Sequence, residues 1–357
     1  MKRDVFIFLM ASTLMSVCAL ADNARFRICV VDERTNEPLR GMRIKGVFIE
    51  RHSNWTRPVV DNEFVGETGR EGVFEAKGET NCGEAVFLLE GNSGFYDTPR
   101  IRVPFDSREG RPTTLSRWWK PDNPVIAIAL QRIERPTPLF VKYVELRDYK
   151  KGIGWFDGTN SVLRFDMMRG DWLPPYGHGE IADVTIASKV TVTGTGKSRK
   201  PYPEFGWETM NFYELKGEVV FSGSDGISER AAKPTDGLKI RCVWDELVGK
   251  RVARVSGVRQ IFERKGGDWY AEGFSDKNAD RAYAFRIRSR CNEKGELVEA
   301  YYGKVYGDFE FEGDDRRGLV GMKFLYYLNP SPLDRNLEWD MRNNLCPDSG
   351  SLGERRP

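Results

Sequence analysis

From about residue 25 to residue 328 the chain alternates apolar and polar residues with a period of two, and no window of helical length holds a 3.6-residue period. A period of two sends successive side chains to opposite faces of a strand. Such runs are stable only when paired into sheets that bury one face. The pattern opens with Arg25-Phe26-Arg27-Ile28-Cys29-Val30-Val31 and continues at 42–49, 71–76, 84–89 and 125–132. A second set covers 139–147, 161–166, 180–194, 215–221, 237–243, 258–263, 269–271, 281–288, 297–306, 308–311 and 319–328. The runs are rich in β-branched and aromatic residues and are separated by Gly, Asn, Asp and Pro clusters. Room for a short helix exists only around 228–232 or 245–248. The expected fold class is therefore all-β, with the second set forming a larger antiparallel β-sandwich or barrel.

Arg135-Pro136-Thr137-Pro138 divides the two sets, because two closely spaced prolines remove ladder donors and stiffen the chain. The expected organisation is a first domain at 22–135, a second at 136–345 and a disordered tail at 346–357, CPDSGSLGERRP.

The first residues, MKRDVFIFLMASTLMSVCALAD, read as a secretory signal peptide. Lys2 and Arg3 form its basic start, Val5 to Leu20 its apolar run, and Ala19-Leu20-Ala21 its cleavage site. The run is short for a membrane span. Cys18 lacks the small preceding residue of a lipidation site. Cleavage after Ala21 removes Lys2, Arg3 and Asp4, so the formal charge falls from +2 to about +1. A balance this even gives no electrostatic case for nucleic acid. No long apolar run follows, so a secreted or periplasmic protein without a transmembrane segment is expected. Of the five remaining cysteines none forms a CxxC pair. Cys29 with Cys82 and Cys242 with Cys291 are possible disulfides, as are ordinary buried thiols.

The stretch Cys29 to Glu50, CVVDERTNEPLRGMRIKGVFIE, reads as two strands around a turn in which Asp32, Glu33 and Glu37 are solvated. Its residues Val31, Asp32, Pro38, Leu39, Gly41 and Ile44, followed by Thr68-Gly69-Arg70-Glu71-Gly72-Val73-Phe74 and Gly94-Phe95-Tyr96, resemble the prealbumin-like, carboxypeptidase-regulatory-like modules of bacterial proteins. Gly69 stands where Asp is commoner. The resemblance covers roughly 22–135 and implies a seven-stranded prealbumin-like sandwich that binds, spaces or presents more often than it catalyses. The whole chain also looks like a secreted bacterial protein without an assigned activity.

Chemistry is sparse. The two histidines, His52 and His178, leave no basis for a multi-histidine metal site. No nucleophile elbow, dinucleotide fingerprint, Walker A loop or zinc-protease motif occurs. Neither a cofactor nor a metal is expected. Asp276-Lys277-Asn278-Ala279-Asp280 has oxygen at alternate positions but lacks the central Gly and the final Glu of a calcium loop, and reads as a turn. A glycosidase would need two facing acids. The candidates are Asp157, Asp166, Asp171, Asp334 and Glu338 (with Asp340 nearby), against the alternative that such residues make caps and local ion pairs. Aromatic residues beside polar ones can stack on sugar rings. Trp155, Trp172, Tyr176 and His178 are the ligand-binding candidates, against burial in the core. The expected function is secreted binding or scaffolding, with an extracellular polysaccharide or cell-surface glycan as the partner class. The alternatives are a carbohydrate-active hydrolase and an envelope structural or assembly component. Oligomeric state is not readable from the sequence.

Overall fold

The computed structural model describes residues 22–50, 59–80, 83–90, 94–98, 100–105, 119–145, 156–157, 162–199, 207–231, 249–263, 269–278, 281–314, 319–339 and 341–346. The expected signal peptide, His52, Cys82, Trp155, Cys242, the possible helix at 245–248, Asp340 and residues 347–357 lie outside these. The chain divides into two compact units, Met1–Arg132 and Ile133–Pro357. Among the described residues there is no helix. The possible helix at 228–232 is instead strand as far as Ala231.

The first unit holds β1 (Asp22–Asp32), β2 (Arg43–Glu50), β3 (Val59–Glu67), β4 (Val73–Thr80), β5 (Glu84–Glu90), β6 (Ile101–Pro104) and β7 (Val125–Leu130). They form a three-stranded sheet, β4-β1-β7, and a four-stranded sheet, β3-β2-β5-β6. These are the seven strands expected. β3 and β6 do not stand out in the sequence, because Asp61, Asn62 and Glu63 dilute one and the other is four residues long. On β1 the even-numbered Ala24, Phe26, Ile28 and Val30 are buried, and they face Ile44, Phe48, Phe87 and Leu89 of the other sheet. Phe26 is the hub, with ring centroids of Phe48, Phe64 and Phe87 at 5.6 to 5.8 Å. Each such pair adds about 0.5–1.5 kcal/mol beyond the area it buries.

The turn chemistry of the opening stretch has specific structural duties. Buried Thr68 donates its hydroxyl to the Leu39 carbonyl at 2.5 Å and accepts from the Met42 N–H at 3.0 Å. Its own N–H and C=O pair with Met42 and Gly41. One side chain thus fixes the 39–42 turn to the β3 end. Gly72 has φ +69, and a Cβ there would lie 2.5 Å from the Val30 carbonyl oxygen. Asp32 corrects the sequence reading. It is buried, not solvated: Oδ1 accepts the N–H groups of Arg34 and Thr35, and Oδ2 pairs with Arg132. The hydrogen bond from Arg132 is the largest cause holding its carboxyl below the usual range.

The second unit is a pair of antiparallel sheets. One runs β11-β10-β12-β13-β15-β16, from β10 (Val162–Asp166), β11 (Asp171–Trp172), β12 (Val184–Arg199), β13 (Trp207–Phe221), β15 (Arg251–Glu263) and β16 (Trp269–Ser275). The other runs β14-β17-β18-β19-β8, from β14 (Gly226–Ala231), β17 (Arg281–Cys291), β18 (Leu297–Asp314), β19 (Leu319–Leu328) and β8 (Phe140–Glu145), with β9 (Phe156–Asp157) also on β19. Leu163, Phe165, Ile186, Leu215 and Phe221 from the first sheet meet Phe285, Val305, Phe309, Phe324 and Tyr326 from the second in one core.

The second sheet is covered on its outer face as well. Leu139, Val141, Leu325, Tyr327 and Trp339 form one outer cluster, and Ala284, Ala300, Tyr302 and Leu337 form another. Residues 329–339 and 341–346 supply the cover, through Leu337, Trp339 and Met341. This explains why β19, LVGMKFLYYL, is apolar almost throughout: a strand buried on both faces loses its alternation. Lys304 is fully buried there, with Nζ 4.7 Å from the Tyr327 ring centroid. The expected tail starts too early, since Cys346 is itself buried.

Candidate functional site

Five of the sequence candidates, Asp166, Asp171, Trp172, Tyr176 and His178, fall in one loop, 166–183, DMMRGDWLPPYGHGEIAD. Its two ends are buried aspartates on either side of one guanidinium. Asp166 Oδ1 accepts from Arg169 N–H at 3.0 Å and from Arg288 Nη2 at 2.6 Å, and Oδ2 accepts from the N–H groups of Glu180 and Ile181, both at 3.1 Å. Asp183 accepts Arg288 Nε at 2.8 Å on Oδ1, and Met167 N–H at 2.8 Å on Oδ2. Burial works against the charge on both. For Asp166 three backbone N–H groups and Arg288 outweigh it, and its carboxyl sits below the usual range. For Asp183 burial prevails over Arg288, and its carboxyl is pushed up.

Arg288 reaches this position because β17 bulges. The register with β18 shifts between Ile287 and Arg290, and Arg288 has φ 53. Asp225 holds the bulge, its two oxygens accepting the N–H groups of Arg288 and Ser289 at 2.9 and 2.8 Å. Sequence reading missed Arg288, Asp183 and Asp225, since a bulge leaves no signal in RIRSRC.

Inside the loop Asp171 accepts the N–H groups of Trp172 and His178 at 2.8 and 2.9 Å, and Gly179 N–H bonds the Trp172 carbonyl at 2.8 Å. Trp172 is buried against Phe165, ring centroids 4.9 Å apart, so it packs and is not a ligand platform. Tyr326 donates its hydroxyl to the Met167 carbonyl at 2.8 Å. The loop is tied from both ends and from within. Its tip presents Tyr176 at 41% exposure, Ile181 at 50% and the His178 side chain at 97%, with His178 Nδ1 3.7 Å from Asp171 Oδ2.

The remaining acids lie elsewhere. Glu338 is buried on the outer face of the second sheet and accepts the N–H groups of Glu134 and Arg135 at 2.6 and 2.8 Å. Asp334 caps the N–H of Asn336 at 3.0 Å. Asp157 belongs to β9, and its side chain lies outside what is described. Asp166 and Asp171 share one loop, and both are occupied by backbone amides. Tyr302, Tyr326 and Tyr327 are buried as well. Asp276, of the weak calcium pattern, accepts Val255 N–H at 2.9 Å.

A second buried hub escaped the sequence reading. Asp308 accepts Arg254 Nε at 2.6 Å, Tyr283 hydroxyl at 2.8 Å, Arg281 Nη1 at 2.9 Å and Asn278 N–H at 3.1 Å. A cleft of about 200 Å³ adjoins it, lined by Arg254, Lys277, Glu310 and Glu312 among others. Its charges are matched in place: Lys277 pairs with Glu310 and Glu312 with Lys323, both at 2.6 Å.

No protein-family model matches the chain, and no curated protein matches it. Among solved structures, a Streptococcal ancillary pilin is similar at 10% identity over 71% of this chain and 60% of its own, with a TM-score of 0.19. This chain therefore spans less than two thirds of that pilin. A DUF3823 family protein from Parabacteroides merdae is similar at 9% identity over 88% of this chain and 100% of its own, TM-score 0.19. The full-length major pilin SpaD from Corynebacterium diphtheriae is similar at 8% identity over 84% and 90%, TM-score 0.23. Identities and TM-scores this low establish neither a shared architecture nor a shared role. Among the described residues no helix is long and apolar enough to cross a membrane.

Proposed function

We propose that this chain is an extracytoplasmic structural or assembly component of the bacterial envelope, working through its architecture and surfaces. The observation that carries the reading is where the acids go. Asp166, Asp171 and Glu338 each bind two or more hydrogen-bond donors of the fold, most of them backbone amides. An acid that serves a turn in this way is held in place by the fold, with both of its oxygens already accepting hydrogen bonds. The leader-like first residues and the prealbumin-like motif of 22–135 support the address and the module type. Fractionation of cells producing the full chain tests the reading. The chain is expected in the envelope, and cross-linking is expected to give discrete higher-mass species. A freely soluble pool that never cross-links overturns it.

A second reading is favoured by one observation, the tip of loop 166–183. Tyr176 and His178 stand exposed on a loop whose ends are fixed, and a pre-organised aromatic loses little entropy on stacking against a sugar ring. Binding to a carbohydrate array that vanishes in Tyr176→Ala supports this reading, and an array with no signal removes it.

A further inference from the structure

We infer that each unit is built to carry tension applied through its two chain ends, because in both the entering and leaving segments run parallel, side by side, and are bonded along their length. Parallel neighbours pulled from opposite ends slide past one another, so all their bonds are loaded together. Neighbours pulled from the same end open one bond at a time. The bonds are the same and each is individually weak, but only sliding requires several to fail at once.

In the first unit the pair is β1 and β7. They are parallel in register from Arg27 opposite Val125 to Asp32 opposite Leu130. The pair is extended by Arg27 N–H to the Pro124 carbonyl at 2.8 Å and Glu33 N–H to the Leu130 carbonyl at 3.0 Å. Ion pairs close both ends. Arg25 grips Asp122 through two hydrogen bonds of 2.6 Å, and Arg132 grips buried Asp32. Tension enters β1 at Asp22 and leaves beyond β7 at Arg132, at opposite ends of the pair.

In the second unit the same arrangement is made from different parts. Residues 134–141 run alongside 336–339 and 341–345 in the same direction. Glu338 holds the Glu134 and Arg135 N–H groups, and its own carbonyl accepts Thr137 N–H at 2.9 Å. Asn336 Nδ2 donates to the Arg135 carbonyl at 2.6 Å. Leu139 forms a parallel bridge to Asn344, with Leu345 N–H on the Leu139 carbonyl at 2.9 Å. Asn344 then copies a strand with its side-chain amide, accepting Val141 N–H and donating to the Val141 carbonyl, both at 2.9 Å. The linker expected at 135–138 is thus a bonded element. Tension enters at Ile133 and leaves beyond Cys346, again at opposite ends of the pair.

The biological meaning of this device rests on the envelope reading, but its mechanics do not, and the two can fail separately. Single-molecule force spectroscopy on the full chain decides it with three pairs of attachment points. Pulling the first residue against the last shears both pairs. Pulling the first residue against an anchor at Lys120 opens the first pair from one end, and pulling an anchor at Glu145 against the last residue opens the second. Each unit is expected to rupture at a force about twofold or more higher in the end-to-end pull than in its opening pull, since several weak bonds must fail together. Asn344→Ala is expected to lower the second unit's end-to-end event and leave the first unit's unchanged. A unit that ruptures end to end at a force equal to or below its opening force overturns the inference, whatever fractionation shows.

Discussion

Arg288 Nη2 lies 2.6 Å from Asp166 Oδ1, joining positions 122 residues apart, and the same guanidinium binds Asp183 through Nε at 2.8 Å. One cation thus bridges two buried acids and pins both ends of loop 166–183. Arg288→Met keeps most of the apolar stem but strands both carboxylates. The expected cost is about 3–5 kcal/mol, as for a buried pair that loses one partner. Urea unfolding measures it, and a loss under about 1 kcal/mol, the worth of an exposed pair, would show that the cluster holds nothing.

The two aspartates should respond to pH with opposite signs. Asp166 has a lowered pKa, so its contribution is present above the ordinary carboxylate pKa and lost as pH falls through its own depressed value. Asp183 has a raised pKa, so its contribution is present below the ordinary value and lost as pH rises through its elevated one. Relative to the unsubstituted chain, Asp166→Asn should therefore show a stability deficit that grows as pH rises through the carboxylate range. The deficit of Asp183→Asn should shrink over the same rise. Unfolding midpoints from about pH 3 to pH 7, bracketing the ordinary carboxylate values, give both slopes, and parallel curves would contradict the assignment.

Gly41 and Gly72 both have positive φ, at +73 and +69, yet they should not respond alike. A Cβ at Gly41 meets nothing within 4 Å, so Gly41→Ala carries only the conformational penalty, about 1 kcal/mol. A Cβ at Gly72 lies 2.5 Å from the Val30 carbonyl oxygen and 3.1 Å from Leu39 N, both backbone atoms that are bonded in place. Gly72→Ala should cost about 3 kcal/mol or more, the strain and the displaced ladder bond together. Thermal unfolding of the two variants ranks them.

These cases show what could be read in advance. The period-two pattern carried the all-β class and most strands, because alternation follows directly from which face is buried, as in β5 with its strict inward set Ala85, Phe87 and Leu89. The Pro38, Gly41, Thr68 and Gly72 constellation marked the first hairpins because each residue type has a distinct backbone duty. What stayed hidden is long-range. Nothing near Asp166 in sequence announces Arg288, and nothing near Arg135 announces Glu338. Asp32 looked like a turn residue because Arg132, which takes it out of water, lies 100 positions away. Burial of an acid is set by its distant partner, and local composition does not record that partner.

Glu338 and Cys346 make the outer cover of the second sheet measurable. Glu338→Ala takes the carboxylate away from the Glu134 and Arg135 amides, a loss of about 1–3 kcal/mol. Cys291 is an exposed free thiol and Cys346 a buried one. A maleimide should label Cys291 rapidly in both chains, while Cys346 reacts slowly in the unsubstituted chain and much faster in Glu338→Ala. Mass mapping of the adducts assigns each site. Equal Cys346 rates would mean that Glu338 does not hold the 329–346 segment down.

The tip of loop 166–183 should separate recognition from folding. Tyr176 and His178 are exposed, and neither is part of the Asp166–Arg288–Asp183 clamp. Tyr176→Ala and His178→Ala should each leave unfolding stability within about 0.5 kcal/mol, as for surface changes away from any structural tie. Asp171→Ala should behave differently. It removes the acceptor of the Trp172 and His178 N–H groups, so the loop loosens at a cost of about 1–2 kcal/mol while the tip side chains stay intact. If carbohydrate binding is found, Tyr176→Ala should abolish it through lost contact, and Asp171→Ala should weaken it through lost pre-organisation, visible as a larger unfavourable binding entropy in calorimetry. A Tyr176→Ala variant that unfolds as readily as Arg288→Met would instead place Tyr176 among the residues that hold the loop together.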